Sequence, residues 1–251
     1  MKKQFLLLIS ILVLSCSKND DSAISNPITP IATVTSKTVI ATGFNYKEFY
    51  QETANSSTRK GLIILAVGDG STENDGTLNE QCTALAKEGY VAITTSYRSL
   101  NGTWDQQGAS FKADIENVIT NAGTWYNIPR SKTILGGLSR GGNMTMALIL
   151  PNGQFVGTTS FAGIKGAIFQ CSGGDNWKGS AVLFPVAWMS NKNDPTMGVA
   201  DGNDFKNGLL NNLNPNVSSQ SECLVYNSTG HCSDISGNKD FIVRKVKEWL
   251  P

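Results

Sequence analysis

At 251 residues, 40% hydrophobic and 16% charged, the chain is long enough to bury one full core, and a mature domain of that size needs neither metal nor disulfide to fold. Its 21 basic and 20 acidic residues nearly cancel; without Lys2 and Lys3 the balance is 19 to 20, a net charge of −1. No long-range field then favours nucleic acid, and nucleic-acid partners are excluded.

The chain opens with Lys2 and Lys3, continues through the apolar run FLLLISILVL, and reaches the small residues Ser15-Cys16. This order of basic flank, apolar block and small residue is that of a secretory signal over 1–15, too short to span a bilayer stably. Its ending VLSC resembles the lipobox of bacterial lipoproteins, which implies that Cys16 is acylated and that the protein meets the membrane through that lipid. Residues 16–35 are expected to be a flexible tether, because SKNDDSAISNPITPIATVT has no aromatic residue and cannot bury enough surface to fold. Such a tether spans about 25 Å on average. Its Asn19-Asp20-Asp21 cluster resembles acidic signals that route some lipoproteins to the outer face of the cell, so an exported, outer-membrane placement is the expectation.

From residue 36 to 251 a single domain is expected, in which short β-rich runs alternate with segments of helical period. KTVIATG and YKEFYQ have no helix between them and predict an antiparallel opening hairpin. GLIILAV (Gly61 to Val67) and GYVAITTSY (Gly89 to Tyr97) are nearly continuous in apolar and β-branched residues, as strands buried on both faces must be. NEQCTALAKEG between them predicts a helix that ends at glycine. Phe111, Ile115, Val118, Ile119 and Ala122 form one stripe of an amphipathic helix over 110–126, with Pro129 beyond its end. TILGG, GIKGAIFQC, FPVAWMS and ECLVYNS then read as strands. Helices are predicted from about Gly141, near Asp204 to Leu213, and over NKDFIVRKVKEWL. This alternation, with connections long enough for right-handed crossovers, predicts an α/β fold whose mostly parallel sheet carries helices on both faces.

Within this frame ILGGLSRGGNM places Ser139 at the junction of a buried strand and a helix, flanked by Gly136, Gly137, Gly141 and Gly142. A sharp turn there would present the hydroxyl above the sheet edge in a strained backbone conformation, and side chains two residues either side would collide. His231, in NSTGHCSD, is the only histidine of the chain and follows the last predicted strand. A serine hydroxyl is a poor nucleophile at neutral pH, and an imidazole beside it can take its proton. Asp194, after FPVAWMSNKN, is the expected carboxylate; Asp201, Asp204 and Asp175 are alternatives, and Asp234 comes after the histidine, out of order.

These features together resemble the α/β-hydrolase fold, specifically its small lid-less members of the dienelactone hydrolase and extracellular esterase type. The resemblance covers roughly residues 36 to 250 and rests on GLSRGG, AVGDGST, TTSYR, SNKND and the late histidine. It implies that Ser139 is the nucleophile, with acid and base in the order Asp194, His231. It implies one oxyanion donor at the backbone N–H of Arg140 and a second from Gly68-Asp69-Gly70, leaving Asp69 or Gly70 open. Only residues 172 to 184 separate Cys171 from Pro185, too few for the lid that relatives insert there, so an open cleft for bulky or polymeric esters is implied. Trp177 in that connection is a candidate to stack on a sugar or aromatic acyl group.

Four cysteines follow Cys16: Cys82, Cys171, Cys223 and Cys232. Cys223 and Cys232 flank the histidine loop and are the expected disulfide, while Cys82 reads as a buried small hydrophobe. With one histidine and no Cys-x-x-Cys, a zinc site is not expected. Neither a P-loop nor a G-x-G-x-x-G after a strand occurs, so no cofactor is expected. The sequence thus points to a tethered hydrolase of carboxylic esters. A peptidase on the same fold is disfavoured, because the chain lacks the propeller or cap domain that usually confers peptide selectivity in such relatives, and an inert binding lipoprotein would not require the serine, acid and histidine.

Overall fold

The computed structural model describes residues 33–52, 58–98, 101–150, 161–173, 176–196, 199–232 and 238–251. Cys16 and nearly all of the expected leader and tether lie outside them. In chain order the elements are β1 (Val34–Ala41), β2 (Phe44–Gln51), β3 (Leu62–Ala66), α1 (Gly76–Lys87), β4 (Val91–Thr95), α2 (Trp104–Tyr126), β5 (Thr133–Leu138) and α3 (Arg140–Ile149). There follow β6 (Gly166–Gln170), α4 (Asn176–Ala181), β7 (Val186–Asn191), α5 (Val199–Leu210), α6 (Pro215–Gln220), β8 (Glu222–Tyr226) and α7 (Lys239–Trp249). No helix among the described residues is long and apolar enough to cross a membrane.

The strands form one sheet in the order β1-β2-β4-β3-β5-β6-β7-β8. β1 and β2 make the expected antiparallel hairpin, β2 is antiparallel to β4, and every pairing from β4 through β3 to β8 is parallel. All residues of β3, β4, β6 and β7 are buried, which is why these runs read as unbroken apolar stretches. The period of two still decides the destination of each side chain. Leu62, Ile64 and Ala66 join one core with Phe111, Val118, Met144 and Phe205, under α2, α3 and α5. Ile63, Leu65 and Val67 join a second core with Leu78, Leu85, Ile242 and Trp249, under α1 and α7.

Element ends differ from the sequence reading where capping, not hydrophobic period, sets them. α2 begins at Trp104, well before its apolar stripe, because Thr103 and Gln106 form a reciprocal capping box. It ends at Asn127, whose φ of 53° gives the left-handed cap. α4 and α6 are single six-residue helices with too few positions to show a period; α6 starts on Pro215 with Asn214 as its cap.

Glycines clear the path of α3 against the sheet. A Cβ on Gly137 would lie 2.5 Å from the carbonyl carbon of Gly141, so the two flanks of the serine do exclude side chains. One on Gly141 would run into the carbonyl oxygens of Ala66 and Val67 on the β3 side, and one on Gly136 into that of Ile168 in β6. Gly141→Ala is therefore expected to lose about 2 kcal/mol or more of stability. Gly76→Ala, where nothing lies within 4 Å, is expected to change stability by less than about 0.5 kcal/mol. Urea unfolding of both variants beside the wild type measures the contrast.

Candidate active site

Ser139 links the end of β5 to the start of α3 with φ 52° and ψ −117°, a region that residues bearing a Cβ rarely enter. Its N–H donates to the Gln170 carbonyl at 2.8 Å, holding the strained turn against β6. Its hydroxyl makes no capping bond to α3 and points away, where Oγ lies 2.7 Å from Nε2 of His231. The other ring nitrogen, Nδ1, lies 2.8 and 3.0 Å from the two carboxylate oxygens of Asp194. The Asp194 side chain is fully buried, whereas the imidazole is 28% exposed at the cleft wall.

The partners arrive on neighbouring loops. β7 and β8 are parallel neighbours, so the loops that follow them leave the same edge of the sheet side by side. They are stitched together: Lys192 N–H donates to Tyr226 carbonyl at 2.6 Å, Asn193 N–H to Ser228 carbonyl at 3.1 Å, and Asn191 Nδ2 to Gly230 carbonyl at 2.5 Å. Asp194 Oδ1 also accepts the Thr196 N–H at 2.8 Å, a local bond that fixes the carboxylate before the histidine meets it. Of the alternative acids, Asp204 is exposed on α5. The Asp201 side chain, Asp175 and Asp234 lie outside the described residues, as does the Trp177 side chain.

A cleft of about 510 Å³ opens over Ser139 and His231, walled by Gly68, Asp69, Ser71, Asp75, Arg140, Asn143, Thr196 and Cys232. Arg140 is the first residue of α3, so its N–H has no acceptor within the helix and is free for a ligand in the cleft. The turn after β3 comes against the serine, since a Cβ on Gly68 would rest 3.5 Å from that of Ser139. Of the two residues left open for the second donor, Asp69 lines this cleft. Gly70, at φ 73°, lines an adjoining recess of about 390 Å³ with Tyr97, Arg98 and Asn101.

The Arg140 side chain turns out of the cleft to donate to Gln107 Oε1 at 2.7 Å. Burial, helped by Asp69 and opposed by Arg140, pushes the neighbouring Tyr97 phenol up to about 12, so it stays protonated at neutral pH. Sequence reasoning did not anticipate Ser71, Asp75, Asn143 or Thr196 on the cleft wall. Ser71 and Asp75 carry a local signal, since Asp75 caps α1 through the Leu78 N–H and accepts the Ser71 hydroxyl at 2.7 Å.

The expected Cys223–Cys232 pairing is not formed; both cysteines are free. They pack toward opposite faces of the sheet: Cys223 on β8 lies against the core under α2, α3 and α5, and Cys232 against the core under α1 and α7. Nine residues of sequence separation conceal the intervening strand.

No protein-family model matches the chain, and no curated protein matches it in sequence. Among solved structures, the PEG-bound complex of a novel cold-adapted esterase from an Arctic intertidal metagenomic library aligns over 88% of this chain and 96% of its own, with a TM-score of 0.64 and 14% identity. Together with the sheet order and both helical layers, this likeness establishes the α/β-hydrolase fold.

The backbone at Ser139 is strained for any residue with a Cβ, and its hydroxyl caps nothing. Ser139→Gly is therefore expected to be about 1 kcal/mol more stable than Ser139→Ala, since both lose the contact with His231 and only glycine relieves the turn. Equilibrium unfolding of the two variants decides it.

Proposed function

We propose that this protein is a serine hydrolase that cleaves carboxylic esters through an acyl-enzyme. The observation that carries the reading is the unbroken hydrogen-bonded line from Ser139 Oγ through His231 to the buried Asp194, at 2.7 Å and 2.8 Å, opening on a cleft. Nε2 of His231 takes the hydroxyl proton as Oγ attacks the ester carbonyl. Asp194 accepts the Nδ1–H, which fixes the tautomer and stabilises the imidazolium. The N–H groups of Arg140 and Asp69 receive the oxyanion, an interaction typically worth several kcal/mol of barrier. Collapse breaks the bond to the alcohol, which leaves with the proton from Nε2. Water then enters, gives its proton to the same nitrogen, and releases the acid.

The β6–β7 connection contains only the short helix α4, with no room for a cap domain, which supports an open cleft and bulky alcohols. Acyl esters on extracellular polysaccharides are the substrate class this reading favours. The leader and the VLSC ending support export and a lipid anchor on Cys16, placing the enzyme at the outer membrane within tether reach of such polymers.

A fluorophosphonate probe is expected to label the wild type at Ser139 and to fail on Ser139→Ala. On p-nitrophenyl acetate, Asp194→Asn is expected to lower kcat by roughly 10³–10⁴-fold. Peptide amides should be turned over far more slowly than esters, and the opposite preference would convert the reading to a peptidase. A panel of acetylated and feruloylated polysaccharides identifies the acyl group. In bacteria fed a clickable fatty acid, the full-length chain is expected to incorporate it, and Cys16→Ser is expected to abolish incorporation.

A further inference from the structure

Beside the proposed base lies a pair of cysteines that the hydrolytic chemistry does not use. Cys171 directly follows β6 and is fully buried; Cys232 directly follows His231 and is half-buried. Their sulfurs and a nitrogen of His231 all lie within 4.8 Å of one another. Both residues also stand in the left-handed region, Cys171 at φ 49° and Cys232 at φ 58°. Among the described residues only Asn127 and Ser139 otherwise do so without being glycine. Asparagine tolerates that conformation and serine is held in it by the turn, but cysteine gains nothing from it. Glycine would fit either position at lower cost, so the sulfur atoms are what these two positions keep.

We infer that Cys171 and Cys232 are a disulfide site, whose closure ties the histidine-bearing loop to the end of β6. The cross-link itself stands on the thiol geometry; its benefit to turnover rests on the hydrolase reading above. A divalent metal fits the same three residues less well. Both imidazole nitrogens are already engaged, by Ser139 and Asp194, and the neighbouring Cys232 and burial push the Cys171 thiol up.

The oxidant is a small disulfide such as oxidised glutathione, or a dithiol oxidase of an exported compartment. The more accessible Cys232 thiolate attacks one sulfur of oxidised glutathione, forming a mixed disulfide and releasing one reduced glutathione. Cys171 then attacks the Cys232 sulfur, its proton passing to the second glutathione thiolate as that is expelled. In sum two thiols and one glutathione disulfide become one protein disulfide and two glutathiones. The sulfurs start within 4.8 Å of one another, and closure brings them to the bonded separation of about 2.05 Å.

The test uses the full chain equilibrated in an oxidised glutathione buffer, unfolded, alkylated with iodoacetamide and cut with trypsin and chymotrypsin, which separates Cys223 from Cys232. Mass spectrometry is expected to find the Cys171 peptide joined to the Cys232 peptide, with Cys82 and Cys223 alkylated. Dithiothreitol should release the pair and lower the melting midpoint by roughly 5–15 °C. Cys223→Ser should keep the linked peptide, whereas Cys171→Ser should lose it and leave Cys232 capped by glutathione. Alkylation of both cysteines at every redox poise, a Cys223–Cys232 link, or protection that EDTA removes would each overturn the inference. If the fluorophosphonate instead fails to label Ser139, the hydrolase reading falls while the peptide map still decides the cross-link.

Discussion

The turn between β5 and α3 is the constraint from which the rest of the site follows. Ser139 is held at a positive φ where Gly137 and Gly141, two residues to either side, leave no Cβ to obstruct the turn, and where its N–H is anchored on Gln170 of the adjoining strand. The packing that allows this turn also sets three things at once. It aims Oγ away from the helix, leaves the Arg140 N–H without an internal acceptor, and brings Gly68 against the serine. A helix that stood further from the sheet would free the glycines and take the serine away from Gly68. Close approach of α3 to β3 is thus the source of both the strain and the cleft.

What reaches this point must travel. β5 and β8 are three strand spacings apart, about 14 Å at 4.8 Å each. The histidine loop therefore leans back over β6 and β7 to meet the serine, and the β7 loop supports it on the way. Main-chain bonds between Lys192 and Tyr226 and between Asn193 and Ser228, with the Asn191 amide on Gly230, make the two loops one unit. Cys171 lies beneath that unit at the end of β6, the strand it must cross. The path of the loop explains why a sulfur at position 171, distant in sequence, meets the residue after the histidine, while Cys223, close in sequence, does not.

Much of this was legible in the sequence, for identifiable reasons. Strands buried on both faces announce themselves as runs such as LIILA and VAITT, and the alternation with helices implies parallel order. The glycines around Ser139 could be read as a steric demand because each removes a Cβ from a specific contact. A lone histidine after the last strand left no competitor for its place. What stayed hidden depends on facing. α2 gained two turns through a cap that carries no hydrophobic period, and α4 and α6 are too short to have one. That Cys223 and Cys232 lie apart required knowing which face of the sheet each one packs against, since the two enter different cores. Sequence alone could not show that Asp69 lines the cleft over the serine while Gly70 lines only the adjoining recess.

The carboxylate shows how burial discriminates among chemically equal candidates. Several aspartates follow β7, and sequence order admits more than one. Asp204 is solvated on its helix, where water would screen any interaction with an imidazole. Asp194 is withdrawn from solvent, and its local donor is the Thr196 N–H, which stands ready whether or not the histidine is present. A buried carboxylate needs such partners, since leaving its lone pairs unmet costs more than a single hydrogen bond returns. With that partner fixed by the turn, the carboxylate also meets Nδ1 of His231. In the proposed mechanism a proton passed from Ser139 to the far nitrogen would form an ion pair where screening is weakest at the acid, because Asp194 is buried and only the imidazole side meets solvent. The short turn that bonds Asp194 would then hold it in place as the imidazole became charged.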